Sequence, residues 1–418
     1  MQNSNTNMEY DEAARLLASL AEKTDTENVG LDACGGRILA QQLTAQENVP
    51  AFDRSPYDGY AFRAEDTSRA TKEEPVVLRI LEEVPAGAVP SCEVTAGTAV
   101  KILTGAPIPV GADAVVMYEK TSFTDREVTI YAPSSSGDNI IYAGEDVKKG
   151  QVLAKAGTVI DPGLAGTLAS QGISRPLVYK RPSAGIISTG SELVDFTDRQ
   201  EDPGQQEAAV LPAGKIRNSN RYQLAAALRK DGCDPVYLGT AGDDVEMIAS
   251  LIRKGLGTCD VVVLTGGVSA GDYDLTPAAM EQAGCELLIK GVRLKPGMAC
   301  CYGVRDGKLV CGLSGNPSSS LTNYYTVLRP AIRKMTGRES YEPERFQVAL
   351  TKGFGKRSKQ VRILKGRFRI EDGKAVMEPA SGQGNVMISS SIGCDVLAIV
   401  PAGSGALEAG TRLEAFLV

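Results

Sequence analysis

The chain has 418 residues, 43% of them apolar, and a formal net charge of −6. Its length predicts two to four domains, and its acidic balance argues against binding to nucleic acid or to an anionic membrane surface. It contains no histidine and no tryptophan, which excludes Ser-His-Asp triads, histidine metal sites and histidine acid–base catalysis. Any catalysis must therefore depend on carboxylates, lysines, hydroxyls, backbone N–H groups and a hard metal ion such as Mg²⁺.

The cysteines and the apolar runs indicate in which cellular compartment the protein is expected. The nine cysteines show no Cys-x-x-Cys spacing, and most lie in apolar, strand-like segments, as expected of reduced, buried thiols. No apolar run approaches the roughly 20 residues of a membrane span, and the N-terminus lacks the pattern of a signal peptide. These features predict a soluble cytoplasmic protein.

The first predicted element is a helix over residues 8–23, where apolar residues recur at helical spacing. Between residues 75 and 131, short apolar β runs are separated by glycines and prolines. This pattern is typical of a small all-β domain. Asp161 and Pro162 then predict the start of a second helix, as its N-cap and its first helical residue.

From residue 181 the pattern changes to alternating strands and helices. Apolar runs such as "SAGIIST" (183–189) and "DVVVLTGG" (260–267) alternate with helical segments such as 218–232. Near-continuous apolar strands joined by helices predict a parallel sheet covered on both faces. From residue 345 onward β signals return, including an Asp-Gly pair that marks a hairpin, so we expect a last small β domain.

Gly turns, hydroxyls and carboxylates follow four strands of the predicted sheet. Glu192, Asp243 and Asp274 each follow one strand, and "SGNPSSS" follows another. Because ligands bind beyond the carboxyl ends of the strands in such sheets, we expect a site there. Each turn alone is more often structural, since an aspartate at this position commonly caps a helix. A divalent cation would let carboxylates coexist with a phosphate that the Gly turns bind through backbone N–H groups.

Two further segments carry candidate residues. "FDRSPYDGYAFR" places Asp58 in a loop among aromatic residues, although an Asp-Gly pair can be a turn signal alone. "VRLKPGMACCYG" places Lys295 at a strand end. A lone lysine is usually exposed to solvent, but this one would lie at the edge where an anion is expected.

Together these segments resemble the molybdopterin molybdenumtransferase family, which includes the C-terminal domain of gephyrin. The most specific match is "FDRSPYDGYAFR", and "KILTGAPIPVGADAVVMYE", "ISTGSEL", "NSNRYQL", "LTGGVSAGDYD", "LKPG" and "LSGNPSSS" follow in order. The matches cover nearly the whole chain, from about residue 8 to the end. The resemblance implies insertion of molybdate into adenylylated molybdopterin with release of AMP.

The resemblance also implies a role for each matched residue. Asp58, Thr104, Glu192 and Lys295 would be catalytic, and Mg²⁺ would be held by Asp243 and Asp274 together with Glu192. The residues that would bind substrate are Gly190, Gly266, Gly267, Ser269, Ser314, Gly315, Asn316, Pro317 and Ser381.

The chain departs from the family pattern at three of these motifs. Tyr57 stands where methionine is usual, Asn218 where aspartate is usual, and Met298 where a second lysine is often found. Losing that lysine would remove one contact to an anion.

The resemblance implies an α/β plus β architecture in an elongated, multidomain chain. A discontinuous N-terminal linker and dimerisation domain (1–46 and 145–180) would be interrupted by an inserted β domain (47–144). A three-layer α/β molybdopterin-binding domain (181–335) and a C-terminal β-barrel-like domain (336–418) would follow. The expected assembly is a homodimer whose site is shared between subunits.

The expected partners are adenylyl-molybdopterin, molybdate and the upstream molybdopterin adenylyltransferase, with no nucleic acid and no membrane. The alternatives are a tungstate-inserting paralogue, a non-catalytic gephyrin-like scaffold, and adenylyl transfer onto molybdopterin. Retention of the acidic residues and of Lys295 favours an enzyme over a scaffold. The segments around Asp58 and Thr104 argue against adenylyl transfer.

Overall fold

The computed structural model describes residues 5–195, 211–269 and 275–418. These residues divide into two compact units. The smaller unit comprises Gln41–Ala156 and Pro162–Pro176. The larger unit comprises the described residues of Met1–Ala40, Gly157–Asp161 and Leu177–Val418.

The α-helices of the described residues are, in chain order, α1 Tyr10–Leu20, α2 Pro162–Ser170, α3 Ser219–Lys230, α4 Val245–Thr258, α5 Thr276–Gln282, α6 Pro317–Asn323 and α7 Arg329–Met335. A π-helical turn, Tyr324–Leu328, joins α6 to α7. The strands are β1 Asn5–Met8, β2 Thr26–Asn28, β3 Leu43–Thr44, β4 Gly59–Phe62, β5 Val76–Val84, β6 Thr98–Ile102, β7 Ala114–Met117, β8 Thr121–Phe123, β9 Glu127–Ile130, β10 Val152–Ala154, β11 Leu177–Tyr179, β12 Ser183–Thr189, β13 Leu193–Val194, β14 Ile216–Arg217, β15 Asp234–Ala241, β16 Val261–Thr265, β17 Glu286–Val292, β18 Leu294–Lys295, β19 Cys300–Arg305, β20 Lys308–Leu313, β21 Phe346–Leu350, β22 Val361–Glu371, β23 Lys374–Pro379, β24 Val396–Val400 and β25 Arg412–Leu417.

A seven-stranded sheet in the order β1–β17–β19–β20–β16–β12–β15 forms the centre of the larger unit. Strands β20, β16, β12 and β15 run parallel, and β19 runs against its neighbours. Val261 and Val263 of β16 pack with α1, α3 and α7, whereas Val262 and Leu264 pack with α4 and α5 on the other face. Burying each such side chain contributes about 1.5–3 kcal/mol to the stability of the folded state. The position of β16 is therefore well fixed, and so is the start of the turn that follows it. The predicted three-layer α/β domain is confirmed.

Two helix starts fix the local geometry at the carboxyl ends of these strands. The side chain of Asn218 accepts a hydrogen bond from the N–H of Arg221 and caps α3. The side chain of Asp244 accepts one from the N–H of Met247 at 2.7 Å and caps α4. Such caps satisfy N–H groups that the helix cannot pair internally. Asp244 therefore has a structural role, which distinguishes it from its neighbour Asp243.

The C-terminal part of the larger unit is a closed barrel. Strands β22–β23–β21–β25–β24 are hydrogen-bonded in that order, and β24 pairs back with β22. The predicted hairpin joins β22 to β23 through Asp372 and Gly373, whose φ angles of 49° and 71° suit a two-residue turn of this kind. The predicted barrel-like domain is confirmed.

The smaller unit contains a six-stranded sheet in the order β7–β4–β6–β5–β9–β8. Its strands include the β runs expected between residues 75 and 131. The strand β4 directly follows Asp58 and is buried along its whole length. The buried strand therefore anchors the loop that carries Asp58.

All nine cysteines fall in the described part of the chain and are free thiols. Across the described segments, no helix combines the length and the apolar character needed to span a membrane.

Candidate functional site

A cavity of about 480 Å³ opens at the carboxyl ends of β12, β15, β16 and β20. The strand ends converge there because the four strands run parallel. The predicted site residues that line it are Gly190, Glu192, Asp243, Gly266, Gly267, Ser269, Ser314, Gly315 and Asn316. Residues as far apart in the chain as Gly190 and Asn316 are thus collected at one place, which is where ligands bind in open α/β sheets.

The turn after β16 requires glycine. Gly266 has a φ of 105° and Gly267 a φ of 60°. A Cβ atom on Gly266 would lie 2.5 Å from Thr189 Oγ1 and 2.6 Å from the Thr189 carbonyl oxygen. Glycine is therefore required at position 266. Because Gly266 and Gly267 line the cavity and have no side chains, a ligand could approach the backbone of this turn closely.

Substituting this glycine tests how far the turn depends on it. We expect Gly266→Ala to lower the free energy of unfolding by roughly 1–3 kcal/mol, because alanine is strained at this φ angle and its methyl group would overlap Thr189. The matched control is Gly257→Ala in α4, where a Cβ meets nothing within 4 Å; it should stabilise the protein by about 0.5–1 kcal/mol. Urea unfolding measures both changes. Equal stability of Gly266→Ala and the wild type would contradict the prediction.

Two carboxylates, Glu192 and Asp243, line the cavity together. The hydroxyl of Ser191 donates to Asp243 Oδ2 at 2.7 Å, and Lys215 Nζ donates to the Ser191 carbonyl oxygen at 2.5 Å. These bonds restrain Asp243 and place a cation near it. A Cβ atom on Gly190 would overlap the Glu192 carboxylate, so this carboxylate folds back over its own turn.

The carboxylate pair fits the donor set of Mg²⁺. This ion commonly takes one or two protein carboxylates and completes its shell with water and substrate oxygens. Within residues 5–195, 211–269 and 275–418, no group of three or more Cys, Asp or Glu side chains is arranged to hold a metal ion by itself. Asp272 and Asp274, the latter a predicted ligand, lie outside the described residues.

Helix α3 holds another wall of the cavity. Asn220 Nδ2 donates to the Gly315 carbonyl oxygen at 2.7 Å, and Gln223 Nε2 donates to that of Pro317 at 2.9 Å. Asn220 is buried and itself lines the cavity. The segment "NSNRYQL" contributes to the family resemblance, but no role was assigned to Asn220 or Gln223 from the sequence. Their contacts with a turn some 95 residues away appear only in the fold.

A second anion-attracting feature lies on β22, where sequence reasoning assigned nothing. Lys365 is 3% exposed, and its Nζ atom donates to Ser318 Oγ at 2.6 Å, Ser390 Oγ at 2.5 Å and Ser391 Oγ at 3.3 Å. In the described part of the chain its partners are hydroxyls rather than carboxylates. Burial lowers the pKa of Lys365 to about 8. A buried ammonium without a counter-charge is costly, so the site favours an anion.

Three predicted residues in the described part of the larger unit do not line the 480 Å³ cavity. Lys295 is exposed in β18, which pairs with β22 of the barrel. Pro317 is the first residue of α6 and follows the cavity-lining Asn316. Ser381 lines a different cavity, of about 740 Å³, beside the barrel, and Ser390 lines it as well.

In the smaller unit the two predicted residues contact each other. The backbone N–H and the hydroxyl of Thr104 donate to Asp58 Oδ1 at 2.6 and 2.7 Å. The backbone bond from Thr104, followed by its hydroxyl bond, lowers the pKa of Asp58. Among the described residues, both hydrogen bonds from Thr104 go to Oδ1 and neither goes to Oδ2. The sequence predicted both residues, and the structure pairs them.

Comparison with known proteins decides the family. Three family models match in order: "MoeA N-terminal region (domain I and II)" over residues 8–172, "Probable molybdopterin binding domain" over 185–334 and "MoeA C-terminal region (domain IV)" over 347–418. The molybdopterin molybdenumtransferase of Bacillus subtilis (strain 168) is 34% identical over 417 residues, covering 99% of this chain and 94% of that protein. The chain belongs to the molybdopterin molybdenumtransferase family.

Other members of the family agree with this assignment. The molybdopterin molybdenumtransferase of Staphylococcus aureus (strain Mu50) is 32% identical over 406 residues, covering 97% of this chain and 94% of that protein. The crystal structure of the molybdopterin biosynthesis moeA protein from Pyrococcus horikoshii OT3 has a TM-score of 0.81 at 31% identity, covering 99% of this chain and 100% of that one. The predicted family, fold class and transferase class are confirmed.

One departure from the family pattern has a structural reason. The Asn218 amide donates to Asp195 Oδ1 and to Ser188 Oγ, each at 2.9 Å. Asp195 also accepts hydrogen bonds from Tyr237 and Thr240. A carboxylate at position 218 would face the carboxylate of Asp195 in a buried setting, which is unfavourable. The neutral amide is therefore the better neighbour for Asp195 in this chain.

Proposed function

We propose that this chain is a molybdopterin molybdenumtransferase that inserts molybdate into adenylyl-molybdopterin, with Mg²⁺ present, and releases AMP. The observation that carries the proposal is the 480 Å³ cavity, where bare Gly turns lie beside Glu192 and Asp243. The name of the relatives supports molybdopterin as the substrate. In the reaction two molybdenum–sulfur bonds form as one molybdate oxygen leaves as water with the two thiol protons. A water molecule adds across the phosphoanhydride bond, which gives AMP and a phosphomonoester.

The cavity would bind the pyrophosphate of the substrate. Gly266 and Gly267 allow close backbone approach, and Ser269, Ser314 and Asn316 add polar groups at the same rim. Glu192 and Asp243 would hold Mg²⁺, with Asp274 as a further proposed ligand. When bound, the ion neutralises charge that develops on the phosphate oxygens. Ser191 and Lys215 keep Asp243 in place.

The buried Lys365 and its serine hydroxyls would hold the molybdate. Ser318 and Ser390 each accept a hydrogen bond from Nζ. The Ser318 hydroxyl could donate to an oxyanion, whereas the Ser390 hydroxyl donates to the Met387 carbonyl oxygen. Lys295 is exposed in β18 and would contribute a positive charge that attracts the anionic substrate. Ser381 shares the neighbouring cavity with Ser390 and would contact the substrate from there.

Asp58 would orient the head of the substrate. Thr104 occupies Oδ1 and favours the ionised carboxylate, so Oδ2 is a fixed acceptor at neutral pH. A homodimer with a shared site, a cytoplasmic location and an interaction with the upstream molybdopterin adenylyltransferase belong to the same proposal. Sedimentation at several protein concentrations tests the dimer.

The proposal is tested by incubating the purified chain with adenylyl-molybdopterin, Mg²⁺ and molybdate. We expect AMP release that depends on molybdate and is accompanied by active molybdenum cofactor. A parallel reaction with tungstate distinguishes the tungstate-inserting alternative. AMP release at the same rate without any oxyanion, or no release at all, would refute the proposed function.

The metal part of the proposal has a matched pair of variants. We expect Asp243→Asn to raise the Mg²⁺ concentration needed for half-maximal AMP release by roughly tenfold or more, because a ligand charge is lost. Asp244→Asn is the control: it removes a charge one residue away, but asparagine caps a helix as well as aspartate does. Titration of Mg²⁺ into metal-free enzyme measures the difference. The same shift in both variants would argue against Asp243 as a ligand.

A further inference from the structure

A second, small cavity of about 20 Å³ lies in the larger unit, beside the chain that leads into β12. Three parts of the chain meet there: residues 36–38, residues 179–181, and the residues that directly follow α3 and α7. It shares no lining residue with the 480 Å³ cavity at the carboxyl ends of the strands. A cavity of this size holds one water molecule or one small ion.

Positive charge predominates in the lining of the 20 Å³ cavity. Its charged residues are Asp231, Arg37, Lys180, Arg181 and Arg338. Three of the cations each form an ion pair: Arg37 with Glu27, Lys180 with Asp25 and Arg181 with Asp234. Arg338 differs from them, because the described residues provide neither an ion pair nor a hydrogen bond for its guanidinium, and its Nε atom is buried.

The carboxylate in the lining is already engaged by other residues. Asp231 is 1% exposed. Its Oδ1 atom accepts hydrogen bonds from the Nε atoms of Arg329 and Arg333, each at 2.9 Å. Its Oδ2 atom accepts one from the Tyr324 hydroxyl at 2.8 Å. Burial, followed by the charge of Arg333, lowers the pKa of Arg338. Three guanidinium groups and one carboxylate thus leave two positive charges in excess beside the cavity.

We propose that the 20 Å³ cavity binds a small monovalent anion such as chloride, held by Arg338 and Arg37. A buried cation without a counter-charge is costly. A water molecule can accept a hydrogen bond from Arg338 Nε but brings no charge, whereas an anion does both. Arg37 is 9% exposed, and both of its hydrogen bonds to described residues come from Nη2. The bound ion would join residues 36–38 to the ends of α3 and α7, and would therefore stabilise the folded state.

The stability of the protein in chloride tests this inference. Urea unfolding is measured in potassium chloride and in potassium gluconate at the same ionic strength, so that screening of surface charges is equal. We expect the urea midpoint of the wild type to rise with chloride and then to level off. At ten times the dissociation constant, the folding equilibrium constant should be about elevenfold higher, because the ion binds only the folded state.

Arg338→Met should abolish this effect of chloride. Methionine fills a similar volume and removes an unpaired buried charge, so the variant should fold. Arg412→Met is the matched control, since Arg412 is exposed in β25 and its loss should leave the chloride effect intact. A chloride-dependent rise of the same size in Arg338→Met and in the wild type would overturn the proposal.

Bromide soaked into crystals of the wild type decides the question even if Arg338→Met does not fold. We expect an anomalous scattering peak in the 20 Å³ cavity, within contact distance of Arg338. A cavity without such a peak at saturating bromide holds water, and the proposal is then wrong. Neither measurement uses turnover, so a failure of molybdate-dependent AMP release would refute the proposed function and leave the anion site standing.

Discussion

Asp58→Asn is expected to reduce molybdate-dependent AMP release by roughly 100-fold or more, the usual contribution of a well-placed catalytic carboxylate. The substitution keeps the shape of the side chain and the oxygen that accepts from Thr104, but it removes the charge. Asp58 is exposed, so the urea concentration at the midpoint of unfolding should stay close to that of the wild type. Initial rates of AMP release and urea unfolding of the same preparation measure the two effects.

The pH dependence of AMP release also tests the role of Asp58. The backbone N–H of Thr104, and then its hydroxyl, lower the pKa of this carboxyl. Asp58 therefore stays ionised to a lower pH than an ordinary aspartate, and activity that needs the carboxylate should persist correspondingly far into the acid range. Thr104→Val removes the hydroxyl bond alone and should move the acid limb of the pH profile upward.

A carboxylate in a comparable setting serves as the control. Asp66 lies in the same unit and accepts a hydrogen bond from the N–H of Gly97 at 3.0 Å. Asp66→Asn should leave the rate of AMP release unchanged. If Asp58→Asn turned over like Asp66→Asn, Asp58 would have no catalytic role.

Lys365→Met is expected to raise the KM for molybdate by about 100-fold, because it removes a desolvated cation whose attraction to an anion is strong at low dielectric. Methionine fills a similar volume and no longer needs a buried charge, so the fold should be as stable or more stable. The exposed Lys374 of the same barrel provides the control, since Lys374→Met should leave the KM unchanged. Steady-state kinetics at varied molybdate concentration distinguish the two variants.

The lowered pKa of Lys365 predicts how this site responds to pH. With a pKa of about 8, the ammonium is present at pH 7 and lost as the pH rises through 8. Affinity for molybdate should therefore fall above pH 8, and Lys365→Arg, which stays charged, should not show that fall. Burying the charged Lys365 lowers the free energy of unfolding. This loss is fully present below pH 8 and disappears above the ordinary pKa of lysine, where the side chain is neutral in both the folded and the unfolded state. Any stability gained by Lys365→Met should thus be largest below pH 8, and a molybdate KM that is independent of pH up to 10 would contradict the assignment.

Local signals in the sequence were sufficient for much of the fold. The hairpin at Asp372 and Gly373 and the cap at Asn218 depend on residues within a few positions of one another, and such preferences are visible in a short window. The strand β16 was predicted from a continuous apolar run. Such a run is typical of a strand buried on both faces, and every residue of β16 is buried. The candidate residues at the strand ends could be placed together because parallel strands share a carboxyl edge.

The sequence by itself determined the family, the order of the domains' characteristic segments and the carboxylates at the sheet edge, because these reside in residue identity and short-range pattern. Only the tertiary structure decided that Lys365 is buried against the serines of another segment while Lys295 is exposed. It also decided that Asn323 contacts a glycine 26 residues away. Burial and pairing of this kind depend on which face of a strand meets which helix, and that is set by packing of the whole unit rather than by the neighbours of each residue along the chain.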